Sequence, residues 1–195
     1  MNYDLFPYQK VLSDILTKKR YNHSLGVQDI SFSLAIRYGY PLEKAALAGL
    51  MHDCAKDITD EMLLSECFKY HIAVSQVETK KPDLLHAKLG AYYARHKYGI
   101  TDTEILSAIA YHTTGKPDMS LLEKIVFVAD YIEPNRSDKY IPDLNDLRSL
   151  AFIDLDRTVY RIAENVVNYL LVSSQEMDTL TVATRDFYEN MMYIK

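Results

Sequence analysis

The stretch LAGLMHDCAKD, residues 47–57, sets a histidine beside an aspartate at the end of an apolar, small-residue run. Helical spacing turns this run toward the core, and Ala45, Ala48 and Gly49 are small enough to let another helix approach closely. His52 and Asp53 thus fall where the pattern calls for interior. An ionised carboxylate buried without a partner is driven toward neutrality or needs a compensating charge. The rest of the chain has to supply that charge.

Working outward, the apolar spacing is helical nearly throughout. Val11, Leu12, Ile15 and Leu16 mark a helix over 7–19, and a second follows from about Asn22 to Tyr38. Pro41 suits the first turn of a helix running to about Cys54, and Thr59 with Asp60 and Glu61 opens the next. A polar stretch at 79–82 precedes a helix over 83–98 that stops at Gly99. Thr101 with Glu104, and Ser120 with Glu123, have the spacing of capping boxes. One short and one long helix follow, and a last covers 180–192. The expected fold is all-α, a bundle of about eight or nine helices, with residues 1–195 as a single domain.

Composition agrees with a folded chain: of 195 residues, 48% are apolar and 25% charged. A net charge of −5 argues against a protein that coats nucleic acid, which needs a basic face. A local basic pocket for a small anion stays compatible with it. Cys54 and Cys67 form no CxxC pair and read as reduced thiols. The start, MNYDLFPYQK, lacks the basic and apolar regions of a signal peptide. No apolar segment approaches the roughly 20 residues that cross a bilayer. The chain is therefore expected in the cytoplasm, with neither membrane nor nucleic acid as partner. Its apolar and tyrosine-rich helices allow a homodimer.

Placed on these helices, more polar groups turn inward. His23 shares a face with Val27, Ile30 and Leu34, and His112 with Ile105, Ala108 and Ile109. Asp130 ends EKIVFVAD, whose face offers no arginine or lysine as an evident partner, and His86 sits a turn before Leu89 and Gly90. A single inward histidine is more often a hydrogen-bonded core residue than a ligand. Asp53 and Asp130 press harder toward a bound cation. Imidazole mixed with carboxylate suits zinc, iron, manganese or nickel better than calcium or magnesium.

His23, the His52-Asp53 pair and Asp130 resemble, in order and spacing, the HD superfamily of metal-dependent phosphohydrolases. RYNHSLGV at 20–27, HDCAKD at 52–57, LLHAKLGA at 84–91, YHTTG at 111–115 and ADYIEPNR at 129–136 together resemble the YqeK family of symmetrical diadenosine tetraphosphate hydrolases. TVATRD at 181–186 is similar to that family's C-terminal segment, although the family more often ends it in asparagine than in Asp186. The resemblance implies an HD-domain bundle holding one or two transition-metal ions, iron first, with manganese, zinc or nickel as alternatives. It implies His23, His52, Asp53 and Asp130 as ligands of a first ion. His86 and His112 would face a second, with Asp53 bridging, or would contact substrate phosphate directly.

The implied reaction splits the tetraphosphate chain with water to give two ADP, so the expected partner is a dinucleoside polyphosphate or ADP. Asp53 and Lys56 are the catalytic candidates. Lys56, Arg20 and Arg136 are placed to meet phosphate charge. Thr113 to Gly115 offer donors at a helix end or a plain C-cap. Ser174 and Gln175, in the polar segment 173–178, either fold against the nucleoside or belong to a connecting loop. Two competing functions stand beside this one: another HD-type hydrolase of nucleoside mono- or triphosphates or cyclic dinucleotides, and a nucleotide-binding regulator without catalysis.

Overall fold

A computed structural model describes residues 3–137, 139 and 141–193. Among these are eleven α-helices, one 3-10 turn and no strand. In chain order the helices are α1 (Phe6–Ile15), α2 (Lys18–Tyr38), α3 (Leu42–Met51), α4 (Asp60–Lys69), α5 (Gln76–Lys80), α6 (Leu85–His96), α7 (Thr103–Tyr111), α8 (Leu121–Ile132), α9 (Leu144–Leu150), α10 (Leu155–Val172) and α11 (Thr179–Tyr193). The all-α reading holds, with more helices than expected. The unanticipated one is α5, inside the stretch read as polar loop. It needs only five residues because Ser75 and Glu78 cap each other reciprocally.

Most boundaries follow local chemistry. Thr17, Thr59 and Ser120 accept hydrogen bonds from the first-turn amides of α2, α4 and α8. The expected box of Thr101 with Glu104 is not formed. Asp102 is the N-cap of α7 instead, its carboxylate taking the amides of Glu104 and Ile105. The third helix also ends earlier than expected, at Met51, and residues 52–57 continue as turns.

One continuous apolar cluster runs from Leu12 through α2, α3, α7 and α8 to Tyr188. Leu34, Leu47, Leu50 and Ile109 are fully buried within it, each worth roughly 1.5–3 kcal/mol of transfer free energy. The helices α2 and α3 cross at close range. A Cβ on Gly49 would lie 2.9 Å from the Val27 carbonyl oxygen and 3.0 Å from the Ser31 Cβ. Only glycine permits this approach, and it brings the first turns of α2 alongside the end of α3.

At the opposite side, α10 and α11 pack as a hairpin beside α8. Tyr188 of α11 takes the Met119 amide at 3.0 Å. Thr184 reaches the Thr114 carbonyl at 3.0 Å, and a Cβ on Gly115, whose φ is +64°, would collide with Thr184 at 2.7 Å. TVATRD therefore clasps the YHTTG turn at the end of α7.

Candidate metal centre

Six side chains from distant parts of the sequence meet where these helix ends converge. His23 comes from α2, His52 and Asp53 from the end of α3, His86 from the start of α6, His112 from the C-cap of α7 and Asp130 from the last turn of α8. All six predicted residues are brought together. His23 Nε2 lies 3.2 Å from His52 Nε2, and His86 Nε2 lies 3.1 Å from His112 Nε2. Asp53 spans the two pairs. Its Oδ2 is 3.2 Å from His52 and 3.6 Å from His23, and its Oδ1 is 3.2 Å from His86 and 3.5 Å from His112. Asp130 Oδ1 stands 3.0 Å from His23.

The hydrogen-bond inventory says what such a site lacks. His52 and His112 each point Nδ1 at a carbonyl three residues back, Gly49 at 2.7 Å and Ile109 at 2.8 Å. His86 does the same with the Asp83 carbonyl at close range. The Gly49 and Ile109 carbonyls lie in last helical turns, where α-helical partners are missing, and the Asp83 carbonyl lies in the 3-10 turn before α6. A carbonyl only accepts, so each Nδ1 carries the hydrogen and a neutral ring leaves a lone pair on Nε2. His86 and His112 then face lone pair to lone pair, with the single Thr113 hydroxyl, 3.4 and 3.2 Å away, to serve both. Imidazole and carboxylate acceptors converge on one spot. A cation satisfies them together, so the donor set fits a transition-metal ion. Two overlapping triplets have metal-ligand spacing: His23, His52, Asp130 and His52, Asp53, His112.

Electrostatics run the same way. Burial would raise the Asp53 pKa, yet the His52, His112 and His86 rings hold it well below the usual carboxylate range. Burial likewise opposes the charge of Asp130, and its hydrogen bond to His23 with the nearby Arg136 outweighs that. His23 responds in reverse: burial lowers it, but hydrogen bonds to Asp130 and Glu133 push it up to about 9. The EKIVFVAD face itself offers Asp130 no cation; its partner comes from beyond the helix, Arg136, whose Nη2 donates at 2.6 Å and whose Nε reaches the Asp130 carbonyl at 3.0 Å. Arg136 was out of view on the α8 face because it lies past the helix and folds back.

Arg20 donates to Asp53 Oδ2 at 2.7 Å, and Arg20, Arg136, Lys19 and His23 line one cavity of about 420 Å³ with Asn135 and Ser137. Lys56 lies elsewhere. Its ammonium donates to Asp83 at 2.7 Å and sits 3.3 Å from His86 Nδ1, behind the ring rather than at the Nε2 edge. It lies in the turn after α3. Asp57 takes the Thr17 amide at 2.6 Å, tying that turn to the start of α2. Ser174 and Gln175 are exposed; Gln175 accepts from Lys81 Nζ at 2.6 Å, and Ser174 has φ of 51°. His71 and His96 are exposed and stand apart from the cluster, and Cys54 is buried with its thiol 3.4 Å from the Gly90 carbonyl.

Glu133 and Asp83 were given no role by sequence reasoning. Glu133, quoted within ADYIEPNR, is buried and accepts from His23 Nδ1 at 3.0 Å. The available signal was its spacing, three residues after Asp130 and just before a proline. Lys19, beside Arg20 in the cavity wall, was also passed over.

Residues 20–135 match the model of the HD domain. The chain is 40% identical over 169 residues to the symmetrical bis(5'-nucleosyl)-tetraphosphatase of Halalkalibacterium halodurans, covering 87% of this chain and 88% of that one. It is 38% identical to the protein of the same name from Bacillus subtilis, over 82% of this chain and 84% of the other. A crystal structure from Clostridium acetobutylicum, described as a predicted HD superfamily hydrolase involved in NAD metabolism, superposes with a TM-score of 0.91 at 34% identity. It covers 98% of this chain and 100% of that one. The chain belongs to the HD-domain family and, within it, to the YqeK-type group of symmetrical bis(5'-nucleosyl)-tetraphosphatases.

Proposed function

We propose that this chain hydrolyses diadenosine tetraphosphate symmetrically, adding one water across the central phosphate bridge to release two ADP. The observation that carries the reading is the convergence of four imidazoles and two carboxylates beside an arginine-lined cavity. His23, His52, Asp53 and Asp130 would hold the first transition-metal ion, with iron the ion the resemblance favours. His86 and His112 would serve a second ion or touch substrate phosphate. When bound, such an ion is a Lewis acid that lowers the pKa of a water and neutralises phosphate oxygens.

The chain's own residues supply the rest. Asp53, with one oxygen toward each histidine pair, fixes the two halves of the site relative to one another. Arg20 and Arg136 already stand on Asp53 and Asp130, so a polyanion entering the cavity meets guanidinium groups held in place. Thr113 can donate its hydroxyl to a phosphate oxygen. Lys56 would do likewise by leaving the exposed Asp83 and swinging round the His86 ring. Ser174 and Gln175, the latter bonded to Lys81, would contact the nucleoside.

The continuous core supports one domain over the whole chain. No helix among the described residues is long and apolar enough to cross a membrane, and both cysteines are free. We take the cytoplasm as the place of action. The test is product analysis with diadenosine tetraphosphate in the presence of Fe2+ or Mn2+. Two ADP are expected, with Asp53→Ala inactive. AMP plus ATP, or hydrolysis of a nucleoside monophosphate with the tetraphosphate untouched, would contradict the assignment.

A further inference from the structure

Three of the four clustered histidines anchor Nδ1 on a backbone carbonyl of their own segment; His23 cannot. It lies inside the 21-residue α2, where the carbonyls of the preceding turn are engaged in the helix. Its acceptor comes instead from 110 positions away: Glu133 Oε1, at 3.0 Å. We propose that Glu133 is a positioning residue that fixes the Nδ1–H form and ring orientation of His23, so that Nε2 presents its lone pair to a metal ion. Carboxylates and carbonyls commonly hold metal-binding imidazoles in this manner. The proposal rests on the metal-centre reading above.

Four observations show Glu133 built for this place. The proline after it disfavours helix and puts Glu133 in an extended conformation, φ −55° and ψ 155°, which ends α8 at Ile132 and turns the side chain toward α2. Its second oxygen is occupied, taking the Asn135 amide at 2.7 Å and the Asn135 side-chain nitrogen at 2.9 Å. Arg148 of α9 fastens the same turn, donating to the carbonyls of Ile132, Glu133 and Arg136 at 3.0, 3.0 and 3.2 Å. Finally, α2 carries a notch for the carboxylate: a Cβ on Gly26 would lie 2.5 Å from Glu133 Oε2. Glycine weakens a helix interior, and here its missing side chain is the room the carboxylate occupies.

The grip matters because His23 has a competing acceptor on the opposite nitrogen. Asp130 Oδ1 stands 3.0 Å from Nε2. Without Glu133, the neutral ring would favour Nε2–H donated to Asp130, which hides the lone pair from a metal.

The test uses the full chain, stripped with chelator and titrated with Co2+, whose visible absorption reports its ligands. Glu133→Ala should bind about 10- to 100-fold more weakly. Glu133→Gln, which keeps an acceptor but no charge, should fall between it and the wild type. Gly26→Ala leaves His23 and Glu133 in the sequence and improves helix propensity. It should weaken Co2+ binding as well, while the helical circular-dichroism spectrum of the metal-free protein stays that of wild type. If wild type binds Co2+ and both alanine variants match it within about twofold, the range of independent sites, the positioning role is overturned and the metal centre stands. If wild type binds no Co2+, the metal-centre reading falls and this role with it.

Discussion

The two ends of α8 each carry an acid, and they treat it in opposite ways. At the N-terminal end Glu123 is buried among donors. One oxygen takes the Ser120 amide at 2.7 Å, and the other takes the Ser107 hydroxyl and the Lys116 ammonium, the latter at 3.0 Å. The helix dipole favours a negative charge there. At the C-terminal end Asp130 sits where the dipole opposes it, and its neighbours are imidazoles and one arginine. The first end is a closed capping box that needs nothing more. The second gathers acceptors that a cation would complete. A buried carboxylate is thus no sign of function by itself; the donors around it decide.

The comparison breaks most sharply by removing one acid at a time. Asp130→Asn should lower hydrolysis by about 10³-fold, since metal charge stabilisation contributes several kcal/mol. Steady-state rates at saturating metal check this. Retained activity would mean the C-terminal end is as closed as the other. Arg136→Ala should act through substrate, raising KM by about 10- to 100-fold, because a hydrogen bond to a charged group contributes roughly 1.5–3 kcal/mol. Glu123→Ala should do the reverse of Asp130→Asn. It loses a helix cap and strands Lys116, lowering stability by about 1–3 kcal/mol in denaturant titration while metal affinity stays unchanged.

The pH responses, smaller in size, should also part. Glu123 is held below its ordinary pKa: burial opposes its charge, but the Ser107, Ser120 and Lys116 contacts outweigh that. Its contribution is therefore present above the ordinary glutamate value and lost as pH falls through the lowered one. His23 is pushed up to about 9. Its contribution to the metal-free fold is full below the ordinary histidine value near 6.5 and is lost as pH rises through about 9. Metal affinity should climb over that same interval, because proton and metal compete for Nε2. Melting and Co2+ titration across pH 4 to 10 read both trends.

Much of this contrast was legible in the sequence. The Ser120–Glu123 box is a local pattern, and the inward placement of His23, His52, His86 and His112 follows from helical periodicity. What could not be read depends on how the chain folds back beyond a helix. Arg136 reaches Asp130, and Glu133 reaches His23, only because the turn after Ile132 reverses, and no periodicity describes a turn. The ion pair of Lys56 with Asp83 is of the same kind: α3 stops at Met51, and the turn that follows carries the ammonium to Asp83. Asp102 displaced Thr101 as the cap of α7 because two neighbouring side chains suit that role, and spacing alone does not choose between them.

On the proposed function, the side chains gathered between the ends of α2, α3, α6, α7 and α8 hold a transition-metal ion. The most direct measurement is anomalous X-ray scattering at the metal edge from crystals of the iron- or manganese-loaded protein. A strong peak is expected within bonding distance of Nε2 of His23 and His52 and of the carboxylates of Asp53 and Asp130. A peak elsewhere on the molecule, with those four groups bonded only to one another, would contradict it.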